Sequence, residues 1–298
     1  MSKKVKETSI LTQRSKPEKI VFGIIFALFL IYAVSLIFPF VWMAVLSLEE
    51  AKSLNTAMKL NGAFYIPEVL YFSNYIDAFT TMEDNGVNFI GMLMNSAWFV
   101  GIGLLFTMFW HSITAYIFAK YKFKGRNFIY TCAIFSMIVP IIGSSGAMYR
   151  LMAELNLYDS GPLYLMVTSC GGFGGTFLMM YGIFANISWS YAEAVFIDGG
   201  SDNTVFFRIM LPQALPAIAA MAVNTGIGLW NNYGTALMYM PSTPTVASGL
   251  YKISLYISDH GRPIYYAGLI ISIVPVLIIY GFMSGSMMKN LSIGGLKG

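Results

Sequence analysis

The feature that most constrains this chain is a succession of long segments without a charged side chain. Six stretches contain no Asp, Glu, Lys or Arg: 20–48, 85–119, 127–149, 160–192, 209–251 and 263–288. Each is long enough for the roughly 20 apolar residues with which a helix crosses a bilayer. Only 11% of the residues are charged, whereas soluble domains average about 25%. The pattern excludes an ordinary soluble enzyme and predicts an all-α polytopic membrane protein.

Allowance for turns between the crossings predicts six transmembrane helices. Their expected positions are 21–46, 91–119, 127–149, 162–186, 208–232 and 264–288. Two cysteines are too few for a disulfide framework. A net charge of +4 does not indicate a nucleic-acid partner, so membrane lipid is the expected surrounding.

Lys and Arg residues assign the two sides of the membrane. The tail 1–19 holds six of them, and the loop 120–126 holds four more and no acid. With six crossings, the tail, this loop, the loop 187–207 and the C-terminus share one side, which collects thirteen of the eighteen basic residues when Arg208 at the inner edge of the fifth span is included. Because basic residues are enriched in cytoplasmic loops, both termini are predicted to be cytoplasmic. The expected division is a cytoplasmic basic tail 1–19 and one transmembrane domain 20–298, with outer segments 49–87 and 234–262.

The spans lack the groups that ion-coupled carriers use. No Asp, Glu or Lys lies within them, and moving a proton or Na⁺ requires a titratable or coordinating group. His111 is predicted to be a helix-packing residue that is hydrogen-bonded to a neighbour, with a proton relay as the weaker alternative. No catalytic or metal-binding motif occurs, and no P-loop is present. The chain is therefore predicted to have no catalytic residue, no metal site and no ATPase activity of its own.

A glycine run, Gly171-Gly172-Phe173-Gly174-Gly175, lies inside the fourth predicted span. It satisfies the G-x-x-x-G pattern, which allows membrane helices to approach closely. Two interpretations remain open, namely packing within the chain and packing against a second membrane subunit.

The loop between the fourth and fifth spans departs from the charge rule, since it combines three acids with one Arg. Apolar residues beside these acids suit a short helix along the membrane surface, and Asp198-Gly199 is a turn signal. A surface without side chains at Gly199-Gly200 would also let a partner approach closely. A helical elbow that docks into a partner would use glycine for both purposes.

This loop resembles the EAA loop of the membrane subunits of bacterial ATP-binding-cassette importers. The matching elements are Glu193-Ala194-Val195, Asp198-Gly199-Gly200 and Leu211-Pro212, in the spacing of the pattern. Val195 and Gly200 depart from it, because the pattern has Ala at both positions.

Other elements resemble the carbohydrate-uptake (maltose-type) subfamily, and within it the smaller six-span subunit. They are Phe72-Ser73-Asn74-Tyr75, Asn95-Ser96, Ala115-Tyr116 with 119–126, Trp230-Asn231-Asn232-Tyr233 and the ending 294–298. In Trp230-Asn231-Asn232-Tyr233, Asn232 stands where the subfamily pattern usually has an acid.

The resemblance implies an alternating-access sugar importer in the bacterial cytoplasmic membrane. Its expected partners are a second permease subunit in a heterodimer, two cytoplasmic ATPase subunits that hold ATP and Mg, and an extracellular or periplasmic substrate-binding protein. This chain itself would hold no cofactor. A coupling helix over 191–204 would contact the ATPase, and Leu211-Pro212 would pin the start of span five. The implied ATPase-coupling residues are Glu193, Ala194, Asp198, Gly199, Leu211 and Pro212.

Sugars bind by aromatic stacking and dense hydrogen bonding, so polar and aromatic residues at the outer ends of spans are candidates for the substrate pathway. They are Asn95, Asn224, Trp230, Asn231, Asn232 and Tyr233. The same residue types form the aromatic belt at a membrane interface, and that alternative stays open. Two other functions also stay open, namely an ion-coupled secondary carrier and a membrane scaffold without transport. The expected substrate is an oligosaccharide, and a lipid-linked or acidic saccharide or a polyol stays open as an alternative.

Overall fold

The computed structural model describes residues 16–50, 54, 58, 62, 64–139, 143–257 and 261–291. Almost all of the regular structure in this part of the chain is helical. The helices are α1 (Lys16–Leu46), α2 (Ser73–Thr81), α3 (Phe89–Lys120), α4 (Arg126–Ile138), α5 (Ser144–Glu154), α6 (Pro162–Ser169), α7 (Gly175–Asn186), α8 (Ser190–Ile197), α9 (Asp202–Trp230), α10 (Tyr233–Tyr239), α11 (Val246–Tyr256) and α12 (Arg262–Leu291). The strands β1 (Glu83–Asp84) and β2 (Val87–Asn88) form an antiparallel hairpin.

Within the described part of the chain, four helices are long and apolar enough to cross a membrane: α1, α3, α9 and α12. The shortest apolar stretch among them has 20 residues, which corresponds to about 30 Å at 1.5 Å per residue and so to the hydrocarbon core of a bilayer. The predictions of a helical fold and of several membrane crossings are therefore confirmed. The ending 294–298, which carried part of the resemblance, lies outside the described residues.

The third and fourth predicted spans are not continuous helices. In the third, 127–149, α4 ends at Ile138 and α5 begins only at Ser144. The sequence has Pro140 between them, and proline removes a backbone donor and clashes with the preceding turn. With 13 residues, α4 extends only about 20 Å. Composition correctly indicated an apolar segment here, but it did not reveal the interruption.

The fourth span, 162–186, breaks at the glycine run. α6 ends at Ser169 and α7 begins at Gly175, so the expectation that the run lies within a helix was wrong. Successive glycines carry a high entropic cost in a helix, which favours a break here. Close approach is nevertheless confirmed, because a Cβ at Gly172 would lie 3.0 Å from Thr114 Oγ1 on α3.

The fifth span begins earlier than predicted. α9 starts at Asp202 instead of 208, and the helix runs without interruption through Pro212. A π-helical turn over Val205–Met210 makes this possible, and the Leu211 N–H donates to the carbonyl of Phe206, five residues back. Such a turn re-pairs the backbone where proline would break an α-helix. The helix thus begins six residues before the predicted 208, and Leu211-Pro212 lies after its first turns. That Leu211-Pro212 pins the start of the membrane span stays a prediction.

α3 is the centre of the bundle, since it packs against α6, α7, α9 and α11. One end of the bundle, here called the α8 end, contains the loop after α3, the end of α7 and α8. The other, the hairpin end, contains α2, the hairpin, α10 and α11. α1 packs mainly against α12 and leaves nearly all of its apolar side chains uncovered.

Candidate functional site

α8 and the turn that follows it form the segment to which the EAA resemblance applies. The helix ends at Ile197, and Gly199 adopts a φ of +78°. This left-handed conformation suits glycine and terminates a helix. A new helix begins at Asp202, with the Ser201 hydroxyl accepting from the Thr204 N–H. The single helix expected over 191–204 is therefore divided by a glycine turn.

The two departures from the EAA pattern are in contact. A Cβ at Gly200 would lie 2.5 Å from Val195 Cγ1, and the Gly200 N–H donates to the Val195 carbonyl at 2.8 Å. The larger residue at 195 therefore occupies the space that the smaller residue at 200 leaves open. We infer that the two departures compensate each other in volume, which preserves the shape of the turn.

α8 and its turn bury Ala192, half-bury Val195 and Gly200, and expose most of the other residues of the motif region. Ala192 is 0% exposed and packs in the core with Tyr116 and Phe184. Ile197 is 85% exposed, although the burial of an isoleucine side chain is normally favourable in free energy. The other exposed residues of α8 and its turn include Tyr191, Glu193, Ala194, Phe196, Asp198 and Gly199.

Leu211 and Pro212 lie apart from this exposed surface, on α9. Leu211 packs against the core cluster that contains Ala192, whereas Pro212 is exposed. Of the six predicted coupling residues, four therefore share one exposed segment and two belong to the helix that follows.

A tyrosine that the sequence did not single out holds the start of α9. The Tyr121 hydroxyl donates to Asp202 Oδ1, and the Tyr116 hydroxyl lies 3.3 Å from that of Tyr121. Burial and the hydrogen bond to Asp202 raise the pKa of Tyr121 above its ordinary value, so the phenol stays protonated and acts as the donor. Only the tertiary fold brings these residues, which are 81 positions apart, together.

The basic loop after α3 has specific partners. Lys120 Nζ donates to the carbonyls of Ala185 and Ile187 at the end of α7, where the helix dipole favours a cation. Arg126 donates from Nε to the Phe118 carbonyl at 2.7 Å. The basic residues were interpreted as topology signals, but two of them also fasten the α8 end of the bundle.

The candidate substrate-pathway residues lie toward the hairpin end, on α3, on α9 and at the start of α10, and three of them make hydrogen bonds that join or begin helices. Asn95 Nδ2 donates to the Pro244 carbonyl at 2.9 Å, and Trp230 Nε1 donates to the Ser272 carbonyl on α12 at 3.2 Å. Asn232 caps α10, because its Oδ1 accepts from the Thr235 N–H at 3.0 Å. These contacts join separate helices and begin a new one.

The other three candidates are more exposed. Asn231 Nδ2 donates to the Ile227 carbonyl one turn earlier. Asn224 lies on the uncovered side of α9 and makes no side-chain hydrogen bond among the residues that the structure describes. Tyr233 stacks on Tyr251 with ring centroids 4.5 Å apart and planes inclined by 20°. The structure thus leaves two uncovered features in this group, an amide and a stacked aromatic pair.

Comparisons with known proteins agree on one family. Residues 111–285 match the model of the binding-protein-dependent transport system inner membrane component family. The chain is 26% identical, over 91% of its length and 87% of the relative, to the diacetylchitobiose uptake system permease protein of Streptomyces coelicolor. It is 28% identical, over 82% and 86%, to the arabinooligosaccharides transport system permease protein of Halalkalibacterium halodurans.

A solved structure shares the fold. A chain of a bacterial ABC transporter that imports the acidic polysaccharide alginate superposes with a TM-score of 0.75 at 22% identity, covering 92% of this chain and 99% of that one. At this level of identity the likeness concerns the arrangement of the helices.

Proposed function

The chain belongs to the family of binding-protein-dependent transport system inner membrane components, and on that premise we propose that it is one membrane-spanning subunit of an ATP-driven oligosaccharide importer. One observation carries the proposal. The family match includes the segment with the EAA pattern, and α8 in that segment leaves an apolar surface uncovered at one end of the bundle. Relatives named for diacetylchitobiose and arabinooligosaccharide transport support saccharides as the substrate class.

We propose that the chain crosses the membrane six times, with both termini and α8 on the cytoplasmic side. Four crossings are the long helices, and the pairs α4–α5 and α6–α7 supply one crossing each. With 13 and 11 residues, α4 and α5 are each too short to span a core of about 30 Å. Counting each pair once keeps the basic loop after α3 and α8 on the same side, in agreement with the positive-inside rule.

α8 would seat in a cleft of one ATPase subunit and transmit its motion. Phe196 and Ile197 offer apolar area for this contact, and Glu193 offers a charged group beside them. Ala194 and Gly199 would permit a close fit, while Asp198 would brace the turn. Leu211 and Pro212 would link the motion to α9. The partner ATPase subunits would hold ATP and Mg, because this chain contains no P-loop.

The substrate would pass beside the outward half of α9, along an interface with a second permease subunit in a heterodimer. Asn224 supports this assignment, because an amide on the uncovered side of an apolar helix is costly toward lipid and suits a hydrated path. The Tyr233–Tyr251 pair offers a stacking surface of the kind that sugar rings use. Asn95, Trp230, Asn231 and Asn232 would position these features, and the hairpin end would receive the extracellular or periplasmic binding protein.

The direct test is uptake by the assembled complex in proteoliposomes, with its second permease, ATPase subunits and binding protein. The probes are radiolabelled diacetylchitobiose, arabinooligosaccharides and alginate oligosaccharides. We expect uptake of at least one saccharide that requires internal ATP and continues in the presence of an uncoupler. Uptake that survives ATP depletion and collapses with the uncoupler would instead identify a secondary carrier. Absence of uptake for every probe would contradict the proposal.

The coupling role has its own test, because Glu193→Arg reverses a charge on the exposed side of α8. We expect this variant, and deletion of 191–204, to reduce co-purification of the ATPase and to abolish uptake. Glu154→Arg is the matched control, since Glu154 is an exposed carboxylate at the end of α5, away from α8. Unchanged ATPase association and uptake in Glu193→Arg would contradict the assignment of α8.

A further inference from the structure

One buried group inside the bundle has no part in the coupling segment or in the pathway residues. His111 on α3 is only 8% exposed, and neither ring nitrogen has a hydrogen-bond partner among the described residues. The backbone groups of Thr107, Gly171 and Phe173 interact with the ring, but none of them meets hydrogen-bond geometry. The sequence predicted an imidazole hydrogen-bonded to a neighbour, and the described structure does not supply that neighbour. Burying polar groups without partners is costly.

The imidazole lines a cavity of about 360 Å³, here called the His111 pocket. α3, the end of α6, the glycine break and the start of α10 surround it. Its polar lining residues are Thr107, His111, Thr168, Ser169, Asn232 and Thr235. The pocket contains one residue, Asn232, that the sequence had already placed in the substrate pathway.

The break between α6 and α7 forms one wall of this pocket, through Gly171 and Phe173. Non-helical backbone at membrane depth is tolerated where it is buried in protein or lines a water-filled cavity. In secondary transporters, interrupted helices commonly form the substrate site, and the same backbone property can serve a binding cavity here. The orphaned imidazole and the broken helix are independent observations, and they point to the same cavity.

The lining determines what kind of ligand the pocket suits. It combines hydroxyl, amide and imidazole groups with the aromatic rings of Phe99, Tyr164 and Phe173, and none of its described lining residues is Asp, Glu, Lys or Arg. A neutral imidazole offers one donor and one acceptor, which matches two neighbouring hydroxyl groups. A carboxylate would find no cation among these residues to offset its desolvation.

We propose that the His111 pocket is a binding site for a neutral sugar ring, whose hydroxyl groups hydrogen-bond to His111 and to the Thr and Ser hydroxyls around it. This deepens the proposed function and rests on it, because the ring would belong to the oligosaccharide in transit. It also selects among substrate classes, since neutral saccharides would fit this pocket and uronic acids would not.

Protection of a cysteine inside the pocket tests the proposal. In the assembled complex, Ser169→Cys is combined with Cys132→Ser and Cys170→Ser, so that the one thiol left in this chain lies at the pocket. The rate of modification by a small methanethiosulfonate is measured without nucleotide and in the vanadate-trapped state. We expect diacetylchitobiose or arabinooligosaccharide to slow modification at 169 about tenfold, by direct occupancy, in at least one state. Alginate oligosaccharides should not protect.

His111 variants then separate a binding role from a structural one. His111→Ala should abolish the protection, whereas His111→Gln should retain most of it, because an amide also offers a donor and an acceptor. Ser112→Ala is the control, since Ser112 is also buried on α3 but contacts Met180 instead of the pocket.

The outcomes distinguish this inference from the proposed function. If no saccharide slows modification at 169, or if His111→Ala is protected as well as the wild type, the pocket holds only water and the inference is wrong. ATP-driven uptake is measured with the same preparations. Uptake without protection leaves the importer assignment intact, and protection without uptake supports the pocket while contradicting the importer.

Discussion

The loop between α10 and α11, at the hairpin end, and α8, at the opposite end, differ in how far their polar and apolar groups are satisfied within the chain. At the hairpin end, the loop between α10 and α11 is tied by side chains from three other segments. Asp159 accepts from the N–H and hydroxyl of Ser242, and Asn85 Nδ2 donates to the Pro241 carbonyl at 2.7 Å. The Ser96 hydroxyl accepts from the Val246 N–H at 2.8 Å. The loop is held almost entirely by contacts within the chain.

At the α8 end, side-chain hydrogen bonds hold the segments on either side of α8 instead of α8 itself. Tyr121 holds Asp202 and Lys120 holds the end of α7, so the segments before and after α8 are anchored. α8 inserts Ala192 into the core and leaves Phe196 and Ile197 uncovered. At this end, anchored segments flank α8, and the apolar side chains of Phe196 and Ile197 on α8 stay exposed.

This difference indicates on which part of the molecule an external force could act. An element that is anchored at both ends can transmit a displacement to α9, and its uncovered apolar side chains are suited to a protein partner. A loop that is already tied on all sides can keep its shape when a soluble protein binds to it and leaves.

A charge placed on an exposed isoleucine at each end tests this difference directly. Ile197→Asp should remove the apolar anchor of α8 and weaken ATPase association about thirtyfold or more, as expected for an interface hot spot. Ile66→Asp is the matched control, because Ile66 is 78% exposed and precedes α2. For both variants, the measurements are co-purification of the ATPase subunits and the affinity of these subunits for the rest of the detergent-solubilised complex. Equal losses in the two variants would show that the ends do not differ.

The second prediction concerns the Val195–Gly200 contact within the α8 turn. Gly200→Ala should create an overlap with Val195 Cγ1 and lower the free energy of unfolding by about 1–3 kcal/mol. Val195→Ala in the same chain restores the usual residues of the EAA pattern and should recover most of the loss. A double-mutant cycle on the thermal stability of the purified complex measures the coupling. Additive effects would mean that the two departures are independent.

The sequence predicted the features that depend on composition and short motifs. Long charge-free runs identified the four continuous helices, and Asp198-Gly199 identified the turn after α8. The breaks after Ile138 and after Ser169 were not predicted. A run of apolar residues indicates that a segment lies in the membrane, but it does not indicate whether the helix is continuous. The glycine run contained the signal, but it was interpreted only as a packing motif.

The contacts of the candidate residues could not be predicted, since they join distant segments. Asn95 was selected as a polar residue at the outer end of a span, but its partner is the Pro244 carbonyl, 149 positions away. Asp202 was counted only as a charge, and nothing local indicated Tyr121 as its donor. The residue types at these positions were informative, whereas their roles required the fold.

The third prediction tests the frame around α8. Tyr121→Phe removes the donor to Asp202 and should cost about 1 kcal/mol of stability, since Asp202 is exposed and partly screened. Burial raises the pKa of Tyr121, so its hydrogen bond is present below the ordinary tyrosine pKa and is lost only as the pH rises through the higher value of the folded state. The cost should therefore be equal at pH 7 and pH 9. A cost that disappears by pH 9 would mean that the phenol ionises early.

The smallest expected effect belongs to the hairpin end. Asp159 has a φ of +56°, which asparagine tolerates better than most residues. Asp159→Asn keeps one acceptor for Ser242 but loses the charge, so stability should fall by only about 0.5–1 kcal/mol. ATPase association should not change, because the contact lies at the opposite end from α8. Thermal unfolding and co-purification of the same preparation measure the two quantities. A variant that is stable yet loses ATPase association would show that the loop between α10 and α11 also affects α8. The functional division between the two ends of the bundle would then be wrong.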